Sequence, residues 1–193
     1  MKPVQVDVSV LCGQWSRAEK NIAAQCRRSV RAAIKVATPY LAKRHFLRAR
    51  PEHLEVSVVL ATDAYVKKLN RKYRAQNKPT NVLSFPSFAD TPLEPGPILL
   101  GDVILAFETS RREARTEKKS LHAHANHLVV HGVLHLLGYD HVVERDAQKM
   151  ERLERLTLKG LGIADPYADT RLTARATSRP GPSRPLKSRS SKK

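Results

Sequence analysis

The sequence predicts a single α+β domain in which a small mixed sheet of about four strands packs against helices. Strand-like and helical segments alternate along the first part of the chain, whereas the last segments are helical only. Residues 98–107 are apolar on both faces, which is typical of a strand inside a sheet. Residues 127–137 form a mostly apolar segment without turn signals, which predicts a buried central helix that carries histidines.

The first elements are a strand and a long helix. Apolar and polar residues alternate over residues 4–10, as in a half-buried strand. Residues 15 to about 46 predict one amphipathic helix, interrupted near Pro39. Its apolar positions recur at helical spacing: Ile22, Cys26, Val30 and Ile34. Its basic positions form a face that either contacts RNA or is simply solvated: Arg27, Arg28, Arg31 and Lys35.

Three further strands are expected. Each is an apolar segment bounded by a polar or proline-containing loop, and together they occupy residues 54–60, 80–86 and 98–107. The last of the three is the most apolar, so we expect it at the centre of the sheet.

Helices occupy the remaining regular segments. Thr62 or Asp63 is placed to cap a helix that runs through Tyr73. A charged helix at 108–118 follows the last strand, and Ser120 is then placed to cap the histidine-bearing helix. A final amphipathic helix at about 143–161 is expected to turn four apolar side chains inward: Met150, Leu153, Leu156 and Leu158.

The net charge of +17 indicates a polyanionic partner, nucleic acid before an anionic membrane. The excess is uneven, because residues 171–193 contain eight basic and no acidic side chains. Apolar periodicity stops at about residue 165, which predicts a folded domain at 1–167 and a basic, disordered tail at 168–193. The domain is basic without its tail, so RNA remains the expected partner.

The chain is expected to be cytoplasmic and to have no membrane partner. No segment approaches the about 18 consecutive apolar residues of a transmembrane helix, and the first residues lack the apolar region of a signal peptide. Cys12 and Cys26 are the only cysteines. Two cysteines are too few for a disulfide scaffold, and a reducing compartment would leave both as thiols.

The strongest chemical signal is a group of three histidines, spaced four and then six residues apart: His131, His135 and His141. Residues four apart are neighbours on a helix, so the first two can face one metal ion. Gly138 can end the helix in the left-handed conformation and let the chain return with the third histidine. Three neutral imidazoles with one open position are the usual shell of a catalytic zinc, and we expect one Zn²⁺ ion here.

The same spacing, His-x-x-x-His-x-x-Gly-x-x-His, occurs in the metzincin metalloproteases. In those enzymes a glutamate directly after the first histidine serves as the general base. Gly132 occupies that position in this chain, and glycine cannot take a proton from water. The pattern therefore predicts a zincin-like metal-binding helix but argues against peptidase activity by that mechanism.

With its glycines included, the segment at residues 131–141 closely resembles the signature of the YbeY family, bacterial endoribonucleases that mature ribosomal RNA. Three further stretches resemble family motifs in the same order. Residues 69–74 match Leu-Asn-x-x-Tyr-Arg, residues 79–86 read Pro-Thr-Asn-Val-Leu-Ser-Phe-Pro, and residues 100–103 read Leu-Gly-Asp-Val where the family has Leu-Gly-Asp-Ile. The resemblance extends over roughly residues 1–167.

This resemblance implies one zinc ion held by the three histidines and cleavage of single-stranded RNA. It implies a role in maturing the 3′ end of small-subunit ribosomal RNA and in ribosome quality control, with the small ribosomal subunit and its assembly factors as partners. It also implies that Arg74 acts at the active site. A guanidinium suits a phosphodiester because its planar fork pairs with two phosphate oxygens and offsets developing charge.

Two alternatives of other classes remain at this point. One is a zinc-containing, RNA-binding factor of ribosome assembly that has no nuclease activity. The basic composition fits this alternative as well as it fits a nuclease. The other is a metallopeptidase with an unrecognised base.

Several further residues near the histidines are candidates for supporting roles. Asp102 and Asp140 either orient a ligand histidine or cap a turn. His127 lies one turn before His131, where we expect it to support the site or the core rather than to bind the metal. His122 and His124, near the helix start, are expected to be exposed.

Overall fold

The structure is a computed structural model that describes residues 3–40, 52–87, 96–141 and 144–168. Residues 41–46, the predicted end of the first long helix, lie outside these ranges. So does the predicted tail except for its first residue. The domain boundary at residue 167 therefore stays a prediction.

The sheet has four strands in the described residues: β1 (Val4–Val10), β2 (Leu54–Ala61), β3 (Val82–Pro86) and β4 (Ile98–Ala106). Their spatial order is β1-β2-β4-β3, with β1, β2 and β4 parallel and β3 antiparallel to β4. Every residue of β4 is buried except Leu99, which is exposed, and Asp102, which is half-buried. The predicted mixed four-stranded sheet and the inner position of its most apolar strand are confirmed.

Six α-helices lie in the described ranges: α1 (Gly13–Ala18), α2 (Ile22–Ala37), α3 (Asp63–Arg74), α4 (Phe107–Thr116), α5 (Leu121–Leu136) and α6 (Glu144–Gly160). A 3₁₀ turn, Thr38–Tyr40, follows α2. The histidine-bearing helix α5 contacts α2, α6, β3 and β4, so it lies at the centre of the larger core. Helix α3 packs on a smaller cluster that includes Val66, Leu83 and Ile104. The predicted α+β class is confirmed. No helix in the described ranges is both long and apolar enough to span a membrane.

The single helix predicted from Trp15 onward is wrong, because the chain forms two helices there. Asn21, between α1 and α2, adopts a left-handed φ of 62°, which asparagine reaches more readily than most residues. The break lets α1 dock separately from α2. Trp15 is fully buried, and its Nε1 donates to the carbonyl of Ala61 at 3.2 Å. The apolar face predicted for α2 is buried as expected.

The fold itself uses half of the basic face predicted on α2. Arg27 Nε donates to the carbonyl of Val6, and Arg31 Nε donates to that of Val4, each at 3.4 Å. Because β1 is an edge strand, these contacts cover carbonyls that would otherwise be open to another strand. The other two basic residues of this face, at positions 28 and 35, are exposed.

The predicted N-caps of α3 and α5 agree with the structure. The side chains of Thr62 and Ser120 each accept a hydrogen bond from the N–H three residues later, at 3.3 and 3.1 Å. Asp63 is the first residue of α3. Its carboxylate accepts from the backbone N–H and the hydroxyl of Thr109, at 2.9 and 2.7 Å, and so ties α3 to α4.

Gly101 is required by the close approach of β3 to β4. Its φ is +135°, and a Cβ at this position would lie 2.1 Å from the carbonyl oxygen of Phe85. Only glycine combines this backbone conformation with the absence of a side chain. The glycine of the Leu-Gly-Asp-Val stretch is therefore needed for structure, because it allows β3 to lie against β4 beside the histidine helix.

Candidate metal centre

His131 and His135, the first two histidines of the group, lie one turn apart at the C-terminal end of α5. The helix stops at Gly138, which has a φ of +79°. Its N–H bonds to the carbonyl of His135 at 2.9 Å, and the N–H of Tyr139 bonds to that of Leu134 at 3.0 Å. This is the Schellman arrangement, as expected for a glycine stop. It turns the chain so that His141 returns to the other two histidines.

One nitrogen from each of His131, His135 and His141 lies within 4.8 Å of the others. The Nε2 atoms of His131 and His135 are 3.1 Å apart. Two nitrogen ligands on one tetrahedral zinc, each about 2.0–2.1 Å from the ion, are separated by about 3.3 Å. The donor set therefore fits an ion of that size, and three protein ligands leave one position open.

Burial and the two neighbouring histidines keep the imidazole of His135 neutral. Burial is the first cause, followed by the neighbouring His131 and His141, and together they lower the pKa of His135 to about 4. A neutral imidazole has a free lone pair, which is the form that binds a metal. The cluster thus presents at least one ligand in its binding form at neutral pH.

A buried carboxylate supports the group from α6. Glu154 is 1% exposed and accepts hydrogen bonds from His131 Nδ1 at 2.7 Å, from His127 Nε2 at 3.2 Å and from the hydroxyl of Tyr167. Burial opposes its ionisation, but the bonds from the two histidines outweigh burial and lower the pKa of Glu154 to about 2. With Nδ1 of His131 bound to this carboxylate, Nε2 is free for a metal.

The sequence-based assignment of the inner face of α6 misses Glu154. Met150, Leu153 and Leu158 are buried as predicted, but Leu156 is 43% exposed and its prediction is wrong. Glu154 lies one turn after Met150, within the apolar stripe. That position was an available signal, because a charged side chain on a buried stripe needs a partner.

The two aspartates considered as supporting groups have other surroundings. Asp140 accepts the backbone N–H of His141 at 2.7 Å, so it shapes the turn, which is one of its two predicted roles. The carboxylate that bonds to a histidine of the cluster is Glu154, not Asp102. Within the described ranges, Asp102 forms no side-chain hydrogen bond to a histidine.

Replacing Glu154 with glutamine is expected to weaken metal binding about 10- to 100-fold, the usual effect of removing a partner of a ligand histidine. Glutamine keeps the volume but cannot hold His131 Nδ1–H with a full negative charge. Competition with a chromogenic chelator would measure the affinity. Gln148, an exposed position of α6, provides the control as Gln148→Ala. An unchanged affinity in Glu154→Gln would show that the carboxylate does not support the ligand.

A cavity of about 690 Å³ opens beside the histidines. The cluster and the turn after α5 border it on one side, and Arg74 and β3 border it on the other. Strand alternation places Val82, Ser84 and Pro86 at the cavity, while Leu83 packs beneath α3. The predicted strand of the Pro-Thr-Asn-Val-Leu-Ser-Phe-Pro stretch therefore contributes to the cleft with one face and to the core with the other.

Arg74 reaches this cavity as the last residue of α3, one residue beyond Tyr73, through which that helix was predicted to run. Its Nη2 donates to the carbonyl of Ser84 at 3.4 Å, and the side chain is exposed. Ala75 then ends the helix with a left-handed φ of 55°. The guanidinium is thus placed on the wall of the cavity and has donors left for an anion.

Gly132 has no room for a side chain. A Cβ there would lie 2.5 Å from Cγ1 of Val103 and 3.0 Å from Oγ of Ser84, because this side of α5 packs directly on the sheet. A glutamate cannot occupy this position without moving the helix from β3 and β4. The structure therefore adds a packing reason to the chemical one for the absence of a metzincin-type base.

The remaining histidines of α5 differ in burial. His127 contacts Glu154 and lies outside the three-histidine group, in agreement with a supporting position. His122 is partly exposed and bonds to Gln25 at 3.0 Å. The prediction that His124 is exposed is wrong. It is 4% exposed and its Nε2 lies 3.0 Å from the carboxylate of Glu113, because the first turn of α5 is covered by α4.

A small α+β domain whose central helix brings three histidines that could hold a metal ion to an open cleft beside an arginine has the arrangement typical of a metal-dependent hydrolase. Residues 15–162 match the family model described as "Endoribonuclease YbeY". A relative of that name from Paramagnetospirillum magneticum is 47% identical over 170 residues, covering 86% of this chain and 97% of the relative. Another from Rhodospirillum rubrum is 48% identical over 172 residues, covering 88% and 84%. The chain belongs to the endoribonuclease YbeY family, which confirms the resemblance seen in its motifs.

Proposed function

We propose that this chain is a zinc-dependent endoribonuclease that cleaves single-stranded RNA in ribosomal RNA processing. Its proposed tasks are maturation of the 3′ end of small-subunit ribosomal RNA and ribosome quality control. One observation carries the proposal: the three-histidine group and Arg74 border the same cavity. Membership of a family named for endoribonuclease activity supports it.

His131, His135 and His141 are the proposed ligands of one Zn²⁺ ion. When bound, zinc supplies Lewis-acid chemistry, which polarises a phosphoryl oxygen and lowers the pKa of water toward neutrality. Imidazole nitrogens suit zinc better than magnesium or calcium, which prefer oxygen ligands. The protein's own part is to keep His135 neutral through burial, and to bond Nδ1 of His131 to Glu154 so that its Nε2 faces the ion.

Arg74 is the proposed catalytic residue that holds the scissile phosphate. Its guanidinium presents several N–H donors in one plane, which can pair with two phosphate oxygens at once. A fixed positive charge also stabilises negative charge that develops on those oxygens during cleavage. The hydrogen bond to the Ser84 carbonyl supports this role because it directs the guanidinium along the wall of the cavity.

The proposed partners are single-stranded ribosomal RNA and the small ribosomal subunit with its assembly factors, in the cytoplasm. The basic composition supports a polyanionic partner, because lysine and arginine contacts release counterions from the RNA backbone. Such binding weakens as salt is raised.

Arg74→Ala is expected to lower the rate of RNA cleavage by roughly a hundredfold, as removal of one transition-state donor commonly does. The metal content should remain unchanged, because Arg74 is not a proposed ligand. Arg74→Lys should recover only part of the rate, since a point charge lacks the bidentate fork. Gel analysis of a labelled single-stranded RNA, alongside metal determination, measures both quantities.

Arg17→Ala is the matched control, because Arg17 is an exposed arginine on α1 and lines a different cavity. It should cleave at the rate of the unmodified protein. Equal trace cleavage by the unmodified protein and by Arg74→Ala would point to a contaminating nuclease. The alternative of an RNA-binding assembly factor would then be the better account.

A further inference from the structure

We propose that the exposed basic face of α3 binds the RNA backbone next to the cleavage site. We define the α3 basic face as four residues: Lys67, Lys68, Arg71 and Lys72. The inference rests on the proposed function, because it assigns a path to the same RNA. The α3 basic face is a better candidate for contacts to the RNA backbone than the basic face of α2, because two of the four α2 residues bond to carbonyls of β1.

The four side chains of the α3 basic face share one surface groove. They line a cavity of about 790 Å³ together with Ala64 and Asn77, and all four are exposed. Within the described part of the chain, none of the four forms an ion pair with a carboxylate. Their charges are therefore not neutralised by the protein, and the groove concentrates positive potential as a binding site for an anionic chain would.

The contrast with α6 shows that this is not a general property of the helices. On α6, Lys149 pairs with Asp146 at 2.7 Å and Arg155 pairs with Glu151 at 2.8 Å. From residue 63 to residue 78 the sequence contains six basic side chains and a single acidic one, Asp63, whose carboxylate is bonded to Thr109. A solvated surface helix usually mixes the two signs of charge, and α3 does not.

Helix α3 connects its basic groove to the histidine cavity. Arg74, which borders the histidine cavity, is the last residue of α3 and comes two residues after Lys72, the last member of the α3 basic face. Arg74 lies seven positions after Lys67, which is about 10 Å along a helix axis. On the loop that follows, Asn77 lines the α3 groove and Thr80 lines the histidine cavity. An RNA strand held at Arg74 can therefore extend along α3 without leaving basic surface.

Tyr73 carries an exposed aromatic ring between Lys72, which lines the α3 groove, and Arg74, which lines the histidine cavity. Tyr73 is 58% exposed, yet its ring is held by an edge contact with Phe85, with centroids 5.3 Å apart, and by Lys72 Nζ at 5.0 Å. A fixed, exposed ring beside cations suits an unpaired base, which can stack on it. This feature favours single-stranded RNA over a duplex, whose bases are already stacked.

The test is binding of a labelled single-stranded RNA, followed by fluorescence anisotropy at several salt concentrations with chelator present so that no cleavage occurs. Lys67→Gln/Arg71→Gln in the full chain is expected to bind about tenfold more weakly at 0.15 M salt. The negative slope of log affinity against log salt should become shallower by about 1.4, because each of the two lost phosphate contacts to a single strand contributes about 0.7. Lys68→Gln/Lys72→Gln serves as an independent second variant.

Arg111→Gln/Arg115→Gln is the matched control. This pair has the same charge and spacing, both side chains are exposed, and they line a basic cavity with Leu121 at the opposite end of α5 from the histidines. It should leave both affinity and slope near those of the unmodified protein. The inference fails if the control pair weakens binding as much as the α3 pairs do, or if neither α3 pair changes the slope while melting temperatures stay equal.

A cleavage assay separates this inference from the proposed function. If the α3 basic face holds RNA beyond the cut site, the α3 pairs should raise KM for a long RNA and leave kcat unchanged. Unmodified protein that binds RNA through α3 but never cleaves it would overturn the proposed function and keep the binding surface. Normal cleavage with unchanged KM in both α3 pairs would overturn the binding surface alone.

Discussion

Replacing His135 with alanine is expected to abolish stable metal binding and to lower RNA cleavage by at least about a hundredfold. His135 is the middle member of the group, 3.1 Å from His131, and burial keeps its imidazole neutral. Two imidazoles alone leave an ion without the three-ligand shell of a catalytic site. Loss of several kcal/mol of charge stabilisation from a metal corresponds to two or more orders of magnitude in rate.

Metal analysis of the purified protein and cleavage of labelled single-stranded RNA measure the two effects. His122→Ala is the matched control, because His122 lies on the same helix, is partly exposed and bonds to Gln25 instead of the cluster. It should retain metal and activity. A His135→Ala protein with the metal content and rate of the unmodified protein would contradict the assignment of the three histidines as ligands.

Chelator treatment of the unmodified protein distinguishes an enzyme from a protein that uses zinc only to hold its fold. For an enzyme, chelator treatment should remove activity with a modest change in melting temperature, since α5 is held by a large apolar core. For an assembly factor with structural zinc, the chelator should cause a large fall in melting temperature, and no RNA would be cut before or after treatment.

Gly132→Glu, which restores the residue of the metzincin pattern, is expected to destabilise the fold by about 3 kcal/mol or more without creating a peptidase. Even a methyl group would overlap Val103, which lies in the central strand β4. Overpacking of this kind costs about 1–3 kcal/mol. A glutamate adds the cost of burying a carboxylate between the helix and the sheet.

Urea unfolding of Gly132→Ala and Gly132→Glu would measure the change, with Gly160→Ala as the control. A Cβ at Gly160, the last residue of α6, meets no atom within 4 Å. That substitution should be neutral or slightly stabilising, because alanine has the higher helix propensity. A Gly132→Glu protein as stable as the unmodified chain would show that α5 does not pack on β3 and β4 as closely as described.

The residues that sequence reasoning placed correctly act over short distances along the chain. The His131–His135 pair follows from helix periodicity, and the stop at Gly138 and the cap at Ser120 follow from the backbone groups that a helix end leaves unsatisfied. The continuous apolar composition of residues 98–107 also placed that strand inside the sheet. These features depend on the nearest four or five residues, which is the range that a sequence pattern describes.

The errors share a different cause, because each depends on an element far along the chain. The break at Asn21 accompanies the docking of Trp15 on the end of β2. His124 is buried because α4 lies over the first turn of α5. The outward position of Leu156 accompanies the inward position of Glu154, whose partners are on another helix.

The class of this protein can be read from its sequence alone: an α+β order of elements, two histidines one turn apart, a third after a glycine turn, and the motifs of the YbeY family. Three features needed the folded structure: which carboxylate supports the histidines, that Gly132 has no space for a base, and that four cations of α3 line one groove without a carboxylate partner among the described residues. Spacing along a helix fixes neighbours on that helix. Burial and charge pairing depend on which other elements the core brings against it.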